Sequence, residues 1–216
     1  MYYADLAQVW PTGIAAPDYF SSLKYYRNMV ESLYNEVAVD GGDARRVADA
    51  LAAHPAVNGH TEAVRALVVT EDWCGDSATT LPYVARLCET IGVPLRVFRQ
   101  SEAPEPKKWY VDNGTEHIPV VSMLFAPGET DAADASIPTE LFRWVERPAA
   151  AHEKVSDWVA AHPEFPEIRS KKDSDEAASK EYFRLYAKLL RDMAGWYRAG
   201  LWREIATEFR ENLQPE

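Results

Sequence analysis

Apolar residues recur at helical spacing near both ends of the chain and gather into short β-type runs in the middle. Tyr19, Leu23, Tyr26, Val30, Leu33 and Val37 alternate at intervals of four and three, which predicts one helix over 18–38. Asp18 is its expected N-cap and Gly41-Gly42 its expected stop. A second helix is predicted over 43–54, with Val47, Ala50 and Leu51 on its apolar face and Pro55 beyond it. The run 66–70 is short, apolar and β-branched, as for a buried strand. Helical spacing returns over 76–91 through Leu81, Val84, Leu87, Cys88 and Ile91, closed by Gly92. Strands follow at 94–99, 118–125 and 141–145, with a short helix carrying Trp109 at 104–113. A polar loop around Pro127-Gly128 fills 126–136, and a helix over 148–162 rests on Val155, Trp158 and Val159.

The resulting order, β-α-β-α-β-β-α, predicts an α/β fold built on βαβ crossovers, with a final antiparallel strand pair on a mixed central sheet flanked by helices. Residues 163–174, with Pro163, Pro166 and Lys171-Lys172-Asp173-Ser174, read as a connector. Beyond it Ala178, Tyr182, Leu185, Leu189, Met193 and Trp196 form another helical stripe, opened by a capping box of Asp173 and Glu176. Gly195 and Gly200 weaken that helix before Leu201, Ile205, Phe209 and Leu213 continue the pattern. Three parts are therefore expected: a helical extension at 1–62, a core at 63–162, and a connector with helical extension at 163–216. Trp144, Trp158 and Trp196 fall on apolar stripes and read as core. The aromatic stripe over 182–209 reads as cover for one face of the core or as a homodimer surface.

Composition narrows the choice of partners. The formal net charge is −11 over 216 residues, and no part of the chain is basic, which argues against nucleic acid or an anionic membrane surface. With only Cys74 and Cys88, the chain is no disulfide scaffold and suits a reducing compartment. Met1-Tyr2-Tyr3-Ala4-Asp5 lacks the basic-then-apolar pattern of a signal peptide, and no apolar run approaches the roughly 20 residues of a membrane span. The expectation is a soluble cytoplasmic protein.

The chemistry concentrates in Trp73-Cys74-Gly75-Asp76-Ser77, set between the strand 66–70 and the helix 76–91. A thiol at a helix start meets unpaired N–H groups that favour its anion. Downstream, Ile118-Pro119 opens the next strand, 45 residues from Cys74 to Pro119. In this order and spacing, residues 63–162 resemble the thioredoxin-like superfamily, most closely its variants with a Cys-Gly-Asp active-site turn and helical additions. The resemblance implies a cis Pro119 beside the thiol, and Trp73, Gly75, Asp76, His117, Ile118 and Pro119 as a substrate groove. It also implies Cys74 as the nucleophile, with Ser77 beside it.

Two departures from that pattern stand out. Ser77 occupies the place of the resolving cysteine, and Val68 that of the buried strand carboxylate that serves as proton acceptor. Cys88 cannot stand in for the missing thiol. It lies 14 residues along the same helix, roughly 21 Å away at the helical rise, whereas a disulfide needs Cα atoms within about 7 Å. Cys88 falls on the apolar face and reads as core. The helix terminus and the Ser77 hydroxyl favour a Cys74 thiolate, while Asp76, Glu71 and Asp72 oppose it. Each effect amounts to about 1 kcal/mol or less in a solvent-like environment, so a modestly lowered pKa is expected. His117 reads first as a rim residue and second as a proton donor to a leaving thiolate. One thiolate is too few for a metal or iron–sulfur site, and no cofactor is expected.

Two functions follow as expectations. The first is a thiol oxidoreductase acting through Cys74 alone on a protein disulfide or low-molecular-weight thiol adduct, with an external thiol resolving the mixed disulfide. The alternative is a redox-inactive module that binds a partner peptide in the groove around Trp73 and Pro119.

Overall fold

A five-stranded mixed sheet organises the larger of two compact units in the computed structural model, which describes residues 6–127 and 138–214. That unit comprises Met1–Arg147 with Ile205–Glu216, and the other is Pro148–Glu204. In chain order the larger unit holds α1 (Leu6–Val9), β1 (Ile14–Ala15), α2 (Ala16–Ser22), α3 (Arg27–Glu36), α4 (Gly41–Ala53) and β2 (Val64–Thr70). It continues with α5 (Gly75–Ile91), β3 (Leu95–Arg99), α6 (Pro104–Val111), β4 (Val120–Phe125) and β5 (Thr139–Val145).

The strand order is β1-β3-β2-β4-β5. Only β2 and β3 run parallel, joined across α5, with Val68 opposite Val97. The other pairings are antiparallel, so α6 leads into a strand that returns along β2 rather than into a second parallel crossover. The centre of β2 is buried on both faces, with Ala66, Leu67 and Val68 inaccessible, as its unbroken apolar run requires. Leu67, Val69, Phe98, Val120 and Leu124 form one cluster with Leu6 and Tyr110, while α3 and α4 pack against α5.

Several elements depart from the pattern reading. The helix expected over 18–38 is two helices, α2 and α3. The break comes where the Lys24 backbone N–H donates to Asp72 Oδ2 at 3.2 Å and Tyr26 takes a φ of 58°. Leu23 and Val30 stay buried on either side of the bend, which is why the apolar spacing survives it. Asp18 lies in the first turn of α2 and Ala15 occupies the cap. Gly41-Gly42 begin α4 instead of stopping its predecessor. Asp40 is the N-cap, its Oδ1 accepting from the backbone N–H of Gly42 at 2.9 Å and of Asp43 at 3.2 Å. β1 is too short for a strand pattern; it pairs with β3, and at Gly13 a Cβ would lie 2.5 Å from the Phe98 ring. α5 runs through Pro82 and ends at Gly92, whose φ of 75° suits the left-handed cap.

The smaller unit is helical: α7 (Ala149–Ala161), α8 (Phe165–Lys171), α9 (Glu176–Trp196) and a π turn at Tyr197–Leu201. The stretch expected as a connector thus contains α8. Asp175, not Asp173, caps α9, accepting from the backbone N–H of Ala177 and Ala178 at 2.8 and 3.0 Å. Trp158 stacks on His162 at 3.8 Å and donates its indole N–H to Asp192 at 2.8 Å. Gly200, at φ 115°, interrupts the helical course before α10 (Trp202–Asn212). The latter part of α10 belongs to the larger unit, where Phe209 meets Phe142 edge-on at 5.0 Å and Glu208 accepts from the Trp144 indole at 2.7 Å. No helix among the described residues is long and apolar enough to cross a membrane. The loop expected over 126–136 lies outside the described residues from position 128 onward.

Candidate functional site

The chain leaves β2 at Thr70 and turns through Glu71-Asp72-Trp73, closed by the Cys74 N–H donating to the Glu71 carbonyl at 3.0 Å. Cys74 is the N-cap of α5, with extended backbone (φ −76°, ψ 114°), and its carbonyl accepts from the Ala78 N–H at 3.1 Å. Its sulfur lies at the exposed donors of the first turn: the backbone N–H groups of Asp76 and Ser77 and the Ser77 hydroxyl favour its anion, without forming a capping hydrogen bond of normal geometry. On the other side the thiol donates to the Ile118 carbonyl at 3.4 Å, and the Ile118–Pro119 peptide bond is cis. Ser77 also shares a hydrogen bond with Thr70 at the end of β2. Trp73, Cys74, Gly75, Asp76 and Ser77 are thus brought against Ile118 and Pro119.

Cys74 is only 6% exposed, whereas Trp73 beside it is 55% exposed. A narrow, partly open recess adjoins the sulfur. Tyr19, Phe20, Leu23 and Val30 line it from the N-terminal helices, and Glu71, Asp72, Ser77 and Ala78 from the site itself. Charged groups surround it in fixed pairs. Arg99 donates through Nε to Asp72 at 2.7 Å and through its terminal nitrogen to Ser22 Oγ at 2.7 Å. Glu71 accepts from the Ser101 backbone N–H at 2.6 Å. Arg147, just after β5, pairs with Asp76 at 2.6 Å. His117 sits outside this arrangement, largely exposed, with its Nδ1 3.0 Å from Glu146 Oε1.

The electrostatics correct the expectation of a modestly lowered thiol pKa. Burial, followed by the charge of Asp76, pushes the Cys74 thiol up to about 11, against the lowering effect of the Ser77 and Asp76 donors. A helix terminus balanced against carboxylates in a solvent-like environment takes no account of desolvation, the largest contribution. Glu71 and Asp72 are held by Ser101, Lys24 and Arg99, so the nearby opposing charge is that of Asp76. Burial also pushes Asp76 up, to about 6, although Arg147 pulls it down. Cys88 is fully buried, and its thiol is pushed up to about 12 by burial and then by Glu89.

Sequence reasoning missed Tyr19, Thr70, Arg99 and Arg147. They come from other elements, and no spacing rule ties them to the thiol. Among the described residues no cluster of three or more His, Cys, Asp or Glu side chains forms a metal site. Val68, deep in β2, puts an apolar side chain where a strand carboxylate would stand.

A mixed sheet with a cysteine capping the helix after its central strand, set against a cis-proline strand start, defines a thioredoxin-like α/β protein. The thioredoxin family model matches residues 43–159, more than half of the chain, and the chain belongs to that family. No curated protein matches it. Among solved structures it is similar to a protein of unknown function from Pseudomonas aeruginosa, at 16% identity and a TM-score of 0.56, covering 98% of this chain and 96% of that one. It also matches an HIV epitope scaffold at 19% identity and a TM-score of 0.47, covering 69% and 80% of the two chains. Likeness at the first of these identities establishes fold alone.

Proposed function

We infer that this thioredoxin-family protein is a thiol oxidoreductase acting through Cys74 alone. The observation that carries the reading is the sulfur at the α5 N-cap, met by the Asp76 and Ser77 donors and set against the Ile118–Pro119 edge. The Cys74 thiolate attacks one sulfur of a disulfide. A bond forms between Cys74 Sγ and that sulfur, the original S–S bond breaks, and the departing thiolate takes up a proton while the Cys74 proton passes to solvent. An external low-molecular-weight or protein thiol then attacks the mixed disulfide and restores Cys74, because Ser77 has no thiol to do so. The exposed Trp73 ring and the Ile118–Pro119 edge suit an extended substrate chain beside the sulfur.

The high thiol pKa favours a second reading, in which the same groove binds a partner peptide without exchange. Mass spectrometry after exposure to hydroxyethyl disulfide separates the two. The first reading expects a reversible adduct on Cys74, formed at least tenfold faster than on a free peptide thiol at equal thiolate fraction and absent in Cys74→Ala. An adduct rate no higher than that of the free thiol assigns the groove to binding.

A further inference from the structure

Three buried hydroxyls, those of Ser77, Thr70 and Tyr19, lead from the Cys74 sulfur to α2. The Ser77 hydroxyl stands at the sulfur, where it favours the anion. Its oxygen shares a hydrogen bond with that of Thr70 at the end of β2. The Thr70 side chain in turn hydrogen-bonds to the Tyr19 hydroxyl, in a contact looser than normal geometry. Among the described residues none of these hydroxyls has another hydrogen-bond partner.

Proton counting sets the direction of this chain. A hydroxyl has one proton to donate and two lone pairs with which to accept. Its protons have to serve the contacts Tyr19 to Thr70, Thr70 to Ser77 and Ser77 to Cys74, and they serve all of them only when every hydroxyl points toward the sulfur. In the opposite order Ser77 donates to Thr70 and Thr70 to Tyr19, and the Tyr19 proton has no acceptor in the fold, at the cost of an unmade hydrogen bond. Burial, followed by the charge of Asp72, pushes the Tyr19 phenol well up, so it keeps the proton that it donates. The charges facing this corner are already engaged: Asp72 by Arg99, Asp76 by Arg147 and Glu71 by the Ser101 N–H, while the Arg99 guanidinium lies over the Tyr19 ring, 5.0 Å from its centroid.

We propose that Tyr19 is a positioning residue for Cys74: acting through Thr70 and Ser77, it turns a chain of hydroxyl donors onto the sulfur and so favours the thiolate that attacks a disulfide. This rests on exchange at Cys74 and adds to it a residue from outside the family match, since Tyr19 precedes residues 43–159. In the resting thiol the sulfur donates to the Ile118 carbonyl, and the outer contacts of the chain are slack. When the Cys74 proton passes to solvent, the charge left on sulfur attracts the Ser77 proton, and each hydroxyl behind it is polarised in the same sense. Every hydroxyl keeps its own proton, so the chain orients donors and carries no proton away.

The test is the rate of iodoacetamide alkylation at Cys74 in the full chain, read by mass spectrometry between about pH 7 and 9, where the rate follows the thiolate fraction. Tyr19→Phe keeps the ring, removes the outermost donor and is expected to slow alkylation about threefold at every pH. Thr70→Val keeps the side-chain shape, cuts the chain in the middle and is expected to slow it about fivefold, while Thr70→Ser stays within about twofold of native. Tyr19→Phe added to Thr70→Val is expected to change nothing further, because the chain is already cut. Loosened packing would act in the opposite sense, opening the buried sulfur and speeding alkylation. An unchanged or faster rate in Tyr19→Phe, or its full loss persisting beside Thr70→Val, overturns the proposal. Alkylation involves no disulfide, so these outcomes are independent of the adduct rate with hydroxyethyl disulfide, which tests exchange itself.

Discussion

Cys74 and Cys88 occupy the two ends of one helix, and both are buried, yet they lie in different chemical worlds. Cys88 has apolar neighbours in the last turn of α5, and burial followed by Glu89 raises its thiol to about 12. Cys74, at the N-cap, feels the same desolvation but also three donors that favour its anion. Exposure does not distinguish the two cysteines here. The direction of the surrounding donors does, because an unpaired N–H exists only at a helix start. The comparison also shows how little the donors offset: with Asp76 adding to burial, the Cys74 thiol stays raised to about 11.

The largest effect that sharpens the contrast comes from Ser77→Cys. The Ser77 side chain lies near enough to the Cys74 sulfur to favour its anion, so a thiol there lies within reach of it. The variant is expected to form an intramolecular disulfide on oxidation and to gain insulin-disulfide reduction in the presence of thioredoxin reductase, whereas the native chain is expected to show none. Robust turnover by the native chain would break the single-thiol reading.

Asp76 supplies the next effect. Its carboxyl titrates near 4 when unfolded and near 6 when folded, so between those values the folded state holds more protons and stability falls as pH rises. The native chain is therefore expected to gain on Asp76→Asn by on the order of 3 kcal/mol as pH drops from 7 to 4, measured by urea unfolding. Over the same range Asp76 ionisation raises the Cys74 pKa, so the log alkylation rate should rise with pH at less than unit slope near pH 6. Unit slope throughout would remove Asp76 from the account of the thiol.

A smaller difference is expected between serine substitutions. Cys88→Ser leaves a hydroxyl in an apolar site and should cost about 2 kcal/mol, whereas Cys74→Ser keeps Ser77 and backbone partners and should cost under about 1 kcal/mol. Equal costs would mean that the two ends of α5 are alike. The smallest stability effect belongs to Trp73→Ala. With half its surface in water, the ring should contribute within about 0.5 kcal/mol to folding, while its loss slows exchange with peptide disulfides more than with small ones.

Much of the fold was legible because it rests on local periodicity. The run 66–70 and the stripe Leu81, Val84, Leu87, Cys88 and Ile91 encode a strand and a helix whose ends need only short-range rules, with Gly92 at the left-handed cap. The break at 23–26 was not legible, since it depends on Lys24 meeting Asp72 across 48 positions. β1 was missed because two residues hold no pattern, and α8 because Pro166 and the charged stretch after it look like a connector when the packing of Phe165 is unseen. The site divides in the same way: Trp73-Cys74-Gly75-Asp76-Ser77 and Pro119 announced themselves, while Tyr19, Arg99 and Arg147 did not.

By itself, then, the sequence determined the strand–helix junction that carries Cys74, the absence of a second thiol or a strand carboxylate near it, and the family to which the chain belongs. Those are properties of neighbouring residues and fixed spacings. Only the tertiary structure decided the charge state of the site, since the desolvation of Cys74 and the pairing of Asp76 with Arg147 depend on what lies above the sulfur. It also decided that α2 lines one side of the thiol with the buried Tyr19. Burial is a collective outcome of packing, and no local pattern in a chain records it.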